Sequence, residues 1–178
     1  MSGQTQRGVV LVGHGGIPKD FPRDRLARLK TLESQRRASR QPPTHEEIEL
    51  EVSLRRWPRS SQTDPYQAGL EALAARLTPH LGDTLFALAY NEFCAPTVKD
   101  AVERLIAAGA RDLTVVPSML TPGGSHSELE IPAELEELRE LHPGVTIRYA
   151  WPFDLGIVAA MLAAQVHRFQ ASLEDSRP

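Results

Sequence analysis

The sequence predicts an α/β fold: a four-stranded parallel sheet with helices on both faces, interrupted by a long insertion after the first strand. Three observations carry this. Four short apolar runs, at 9–12, 84–90, 113–116 and 145–151, are continuous or nearly so, as in strands covered on both sides. Each is followed by a segment with helical spacing of its apolar residues, the alternation that builds parallel sheets. Between the first run and its helix, the composition changes abruptly. From Ile17 to Ser60 there are eleven lysines and arginines against seven acids, whereas the rest of the chain has nine against sixteen.

The bounds are simple. A chain of 178 residues fits one domain, here 1–178 with an inserted basic segment at 17–64, and can bury a substantial core. A net charge of −3 gives no basic field for nucleic acid. No stretch reads as a secretory signal or approaches membrane-span length, so the expected setting is the cytoplasm, with no membrane partner. One cysteine, Cys94, excludes an internal disulfide and a four-cysteine metal site.

The elements follow in order. Residues 1–7 are polar and expected to fray before the strand at Val9–Val12. Leu26, Leu29 and Leu32 suggest a helix between Pro22 and Arg37, broken by Pro42-Pro43. Thr44 and Glu47 have capping-box spacing ahead of a stretch ending at Trp57. Ile48, Leu50, Val52 and Leu54 alternate as a strand would, but the cap, and the face shared by Leu50, Leu54 and Trp57, favour helix. Asp64-Pro65 is an N-cap followed by proline at the first helical position, and Tyr66, Leu70, Leu73, Ala74 and Leu77 form one face as far as Pro79. After the second strand, Pro96 opens a helix whose Val98, Ala101, Val102, Leu105 and Ile106 give the clearest amphipathic pattern, ended by Gly109. The third strand leads through a Pro-Gly-Gly loop to a helix at 133–141. Pro143-Gly144 turns into the fourth strand, and Asp154 caps a last helix, 155–173.

Parallel strands end on one edge of the sheet, where α/β proteins bind their ligands. Three polar groups should gather there: His14 in Gly13-His14-Gly15-Gly16, Glu92 after the second strand, and His126 in the loop after the third. Two imidazoles and a carboxylate suit a divalent first-row metal with coordination positions left open. Glu92 by itself would equally suit a solvated residue or a cap for the following helix. Gly15 and Gly16 in one loop, and Gly123, Gly124 and Ser125 in the other, would let a substrate approach the backbone. His45, His80, His142 and His167 read as surface residues.

Gly13-His14-Gly15, Glu92-x(3)-Pro96 and Leu120-x(5)-His126-x(3)-Glu130-Ile131-Pro132 together resemble the small CbiX-type chelatases of the class II chelatase superfamily, relatives of ferrochelatase. The resemblance covers roughly 8–16 and 65–170. It implies a chelatase-like α/β fold and a tetrapyrrole metal chelatase, a lyase that inserts cobalt, nickel or iron into sirohydrochlorin on the way to cobalamin or sirohaem. His14 and His126 would bind the metal and assist removal of the pyrrole protons, and Glu92 would be a third ligand or a proton acceptor. No tightly bound cofactor is implied, because the divalent ion is itself a substrate. A single such domain resembles half of a two-lobed chelatase, which implies a homodimer.

The sequence departs from the family pattern in places. Gly16 stands where a serine is usual, Glu130 replaces aspartate before Ile131-Pro132, and the insertion has no counterpart in the short enzymes. A polar, basic excursion of this kind is commonly a solvated face. Its alternative role is to overhang the cleft and meet substrate carboxylates, with Arg23, Arg25 and Arg28 as candidates. Two other functions fit the chain less fully: a tetrapyrrole or metal carrier that performs no insertion, and a phosphate-handling enzyme using the Gly-His-Gly-Gly loop. The latter lacks the arginine that histidine phosphatases place immediately before their histidine.

Overall fold

The computed structural model describes residues 5–174, in the order β1 (Arg7–Gly13), α1 (Arg23–Ser39), α2 (His45–Arg55), α3 (Pro65–Leu77), β2 (Leu85–Tyr90), α4 (Val98–Ala107), β3 (Asp112–Pro117), α5 (Ile131–Leu141), β4 (Thr146–Tyr149) and α6 (Leu155–Glu174). The strands form one parallel sheet in the order β2-β1-β3-β4. β1 therefore lies between β2 and β3, and the loops leaving β1 and β3 open a crevice at the point where strand order reverses.

Alternation along the strands divides the core. Val10 and Val12 of β1, with Leu113 and Val115 of β3, face α4 and α5 and pack on Val98, Ala101, Val102, Leu105, Ile131, Leu135 and Leu138. Leu11 and Tyr90 point the other way, against Leu70 and Ala74 of α3. The insertion has a core of its own, in which Phe21, Leu29 and Leu54 are buried with Leu50 and Trp57 beside them. The helical reading of 45–55 holds, because one face of α2 carries Leu50 and Leu54 into this core.

Local chemistry corrects several boundaries. β1 starts at Arg7 rather than Val9: Gln6 accepts from the Arg111 amide and its side chain reaches the Asp83 carbonyl, so the strand entry is tied down. The rest of the expected frayed end, residues 1–4, lies outside the described residues. Thr44 caps α2 by accepting from the Glu47 amide, but the Glu47 carboxylate turns to Arg36 instead of closing the box. The complete capping box is at Thr97 and Asp100, so Thr97 rather than Pro96 starts α4. α5 begins at Ile131 instead of Ala133, because His126–Glu130 already winds as a π-helical turn. β4 is only Thr146–Tyr149, shorter than the apolar run around it. A short 3-10 turn, Thr78–Leu81, follows α3. His142 is no free surface residue: it is half-buried and its Nε2 is sealed without a partner. His45, His80 and His167 are exposed as expected.

Along α6 only Val158 is buried among the residues whose side chains are described. Ile157, Met161, Leu162, Val166 and Phe169 are all at least half exposed. No described helix is long and apolar enough to cross a membrane.

Candidate metal centre

His14 is the first residue beyond β1. The parallel ladder continues past the strand ends, with Asn91 donating to the Gly13 carbonyl and Glu92 to the His14 carbonyl. These bonds set Glu92 beside His14. The His14 amide donates in turn to the Tyr66 hydroxyl at the start of α3. Gly15 is required here: its φ is +97°, and a β-carbon would lie 1.9 Å from the Glu92 carbonyl oxygen. The two loops interlock backbone against backbone.

His126 arrives differently. It opens the π turn, a feature frequent at functional sites, and the turn is held to β4 by the Tyr149 hydroxyl donating to the Ser127 carbonyl. Burial pushes the Tyr149 hydroxyl up to about 12, with the Ser127 bond pulling the other way, so it remains a donor. Asn91, at the end of β2, contacts both His126 and Glu130 from the opposite side.

The outcome is that His14, Glu92 and His126 each offer one ligand atom, all within 4.8 Å of one another, and all three residues are half-buried. Nε2 of His14 is 3.7 Å from the Glu92 carboxylate, and the two imidazoles meet edge to face at 4.7 Å. Their tautomers follow from their partners. Nδ1 of His14 lies 2.8 Å from the Gly15 carbonyl, which only a ring N–H satisfies. Nδ1 of His126 lies 2.8 Å from the Glu130 carboxylate and 2.9 Å from the Asn91 amide nitrogen; the carboxylate can only accept, which makes Nδ1 the donor and turns the Asn91 amide to Glu130. In both rings Nε2 is left with its lone pair. Burial alone would raise the Glu130 carboxyl, but bonds from His126 and Asn91 outweigh it and hold the group below the usual carboxylate range. A carboxylate behind the imidazole fixes ring orientation and raises ligand basicity, as is common around metal sites.

Sequence spacing therefore named the three convergent residues but missed two supports, Asn91 and Glu130. Glu130 follows His126 by four residues in a stretch expected to be loop, and only the π turn brings the pair together. The glycine positions divide. Gly15 is buried under the Glu92 backbone and Gly16 sits against Asp64 and Tyr66, while Gly123 and Gly124 face open space and Ser125 is exposed. With two neutral nitrogen donors, one carboxylate and no thiolate, the cluster can hold a divalent ion without an irreversible grip.

Comparison with known proteins points the same way. The CbiX family model matches residues 59–172, a stretch that includes Glu92 and His126 but not β1 with His14. A sirohydrochlorin cobaltochelatase of Priestia megaterium is 36% identical over 86 residues, covering 48% of this chain and 27% of that protein. A sirohydrochlorin ferrochelatase of the same organism is 28% identical over 82 residues, covering 46% and 30%. The matches thus span about a third or less of the length of these curated relatives. Among solved structures, a CbiX protein of Marinobacter aquaeolei VT8 is similar with a TM-score of 0.54 at 22% identity, over 93% of this chain and 98% of that one. The sirohydrochlorin chelatase SirB of Bacillus subtilis subspecies spizizenii, in complex with cobalt, has a TM-score of 0.56 at 19% identity, over 94% of this chain and 51% of its own. SirB from Bacillus subtilis with Fe3+ gives 0.55 at 19%, over 98% and 49%.

Proposed function

Since the chain belongs to the CbiX family, we propose that it is a tetrapyrrole metal chelatase that inserts cobalt, nickel or iron, as the divalent ion, into a sirohydrochlorin-type ring. The observation that carries this reading is the convergence of His14, Glu92 and His126 at the sheet's switch point, one ligand atom of each lying within 4.8 Å of the others. The ion is a substrate, held by the two Nε2 atoms and the Glu92 carboxylate. As it passes to the macrocycle, two ring N–H protons must leave. The same Nε2 lone pairs, freed by departure of the ion, accept them, and Glu130 behind His126 stabilises the imidazolium that results. Charge balances: one dication enters the ring and two protons leave it.

The exposed Gly123-Gly124-Ser125 loop forms the rim the ring would meet first, while Gly15 and Gly16 act from the floor. The protein works as a single domain, with the 17–64 insertion built in, in the cytoplasm and as a homodimer. Two observations support the dimer. This chain covers only about half of each SirB chain, and α6 leaves a row of apolar side chains exposed.

The test is anaerobic incubation with sirohydrochlorin and cobalt, nickel or ferrous ion, followed by absorbance of the metallated product. His14→Ala and His126→Ala should each reduce the insertion rate by about two orders of magnitude or more, as loss of a positioned base or ligand does. A folded variant of either kind with near-full insertion activity would refute the assignment.

A further inference from the structure

We propose that Arg59 is a positioning residue for the metal centre, through which the 17–64 insertion fixes the Glu92 loop against the His14 loop. The inference rests on the reading that His14, Glu92 and His126 hold the ion.

The Arg59 side chain is only 5% exposed and lies at the meeting point of four segments. One terminal nitrogen donates to the Gly16 carbonyl, two residues after His14, at 2.7 Å, and also to the Asp64 carboxylate. The other donates to the Leu54 carbonyl of α2 and to the Phe93 carbonyl, one residue after Glu92. Asp64, 2% exposed, spends its second oxygen capping α3 through the Gln67 amide. The Arg59 Nε is buried without a partner. The guanidinium is thus placed to serve the loop carbonyls, not to satisfy its own donors in full.

What those loops need explains why. Phe93 has a φ of +57°, a left-handed conformation that side-chain-bearing residues rarely adopt, and it directly follows Glu92. Its ring packs with the insertion's core and lies 6.0 Å from the His14 ring. Arg55 adds a second tie, since its side chain donates to the Cys94 carbonyl and its own carbonyl accepts from the Ala95 amide. A small cavity of about 50 Å3 between the insertion and Glu92 leaves the loop room to shift if these ties are cut. Arg59 touches neither His14 nor Glu92, so its influence must pass through Gly16 and Phe93. A lysine could keep the charge opposite Asp64, but a single ammonium on a flexible stem cannot span all four acceptors.

Cobalt(II) alone is the probe, titrated anaerobically into the full chain, with affinity and the visible d–d band as readouts and far-UV circular dichroism to confirm folding. Two variants are needed. Arg59→Lys retains a partner for Asp64. Arg59→Met with Asp64→Asn removes the buried charges together while keeping an acceptor for the α3 cap. Each should bind cobalt at least about tenfold more weakly with an altered band while remaining folded. In a Glu92→Gln background, Arg59→Lys should cost less than about threefold, because the two residues act through one loop. Unchanged affinity and band in both folded variants would overturn the inference, as would a full additive cost in the Glu92→Gln background. Failure of the underlying reading has a separate signature: His14→Ala would then bind cobalt as tightly as the wild type.

Discussion

At the scale of single residues, the centre consists of three convergent side chains and the groups that aim them. The three were legible because each follows an apolar run, and parallel strands must end on the same edge. Asn91 and Glu130 were not. An asparagine at a strand end carries no pattern, and His126 and Glu130 meet only because the intervening residues wind as a π turn. Their arrangement makes a prediction about Glu130. Replacing it with alanine removes the acceptor for the His126 Nδ1–H, freeing the ring to rotate or change tautomer. Partners of this kind are typically worth about 10- to 100-fold in metal affinity. Glu130→Ala should fall in that range in a cobalt titration, and Glu130→Gln, which keeps an acceptor oxygen, should lose less. If alanine leaves the affinity unchanged, the imidazole is oriented by other contacts and the carboxylate is incidental.

At the scale of elements, the insertion was the hardest part to read. Its alternating Ile48, Leu50, Val52 and Leu54 fit either period, and the outcome depended on a core that the sequence does not display: α2 lays Leu54 against Phe21 and Leu29. The surplus of basic residues was visible, but its use was not. Arg28 is paired with Glu46, Arg36 with Glu47 and Arg55 with Glu51, all inside the segment, while Arg59 meets Asp64 just beyond it, so these arginines tie the segment together and to its border. A second junction, between α4 and α5, gives a pH prediction. The Glu134 carboxylate of α5 accepts from the Lys99 amide in the first turn of α4. Burial raises this carboxyl above its ordinary value, the Lys99 bond opposing it only partly. A carboxyl raised in the folded state contributes stability that is full below its unfolded value, about 4, and is lost as pH climbs through the raised folded value. Glu134→Gln carries no such titration. Melting temperatures of the two proteins should therefore diverge in favour of the glutamine form as pH rises from about 4 to 7, and parallel curves would count against the desolvation argument.

At the scale of the whole molecule, a parallel sheet covered by helices on both faces could be anticipated from the alternation of elements, but the strand order and the fate of α6 could not. Its apolar residues look in sequence like those of any packed helix. In the structure Val158 is the one buried residue among the described side chains of this helix, while Ile157 is 70% and Phe169 62% exposed. Isolated exposed apolar residues are ordinary, but a contiguous set of this size on one element marks an interaction surface. The proposed homodimer would cover this row with a second copy. A stable homodimer of this kind should bury on the order of 1,500 Å2 or more. Light scattering at micromolar concentration should accordingly report twice the 19.7 kDa chain mass. Met161→Glu together with Val166→Glu should shift the protein to monomer, because two carboxylates would have to be desolvated in an apolar contact. The sheet would not suffer, since both side chains are exposed within the chain. Cobalt binding should then persist in the monomer, because His14, Glu92 and His126 all come from one chain. Insertion should fall sharply if the macrocycle is gripped from both copies. A wild type that scatters as a monomer, or a double variant that remains dimeric, would remove α6 from the interface and leave its apolar row to another partner.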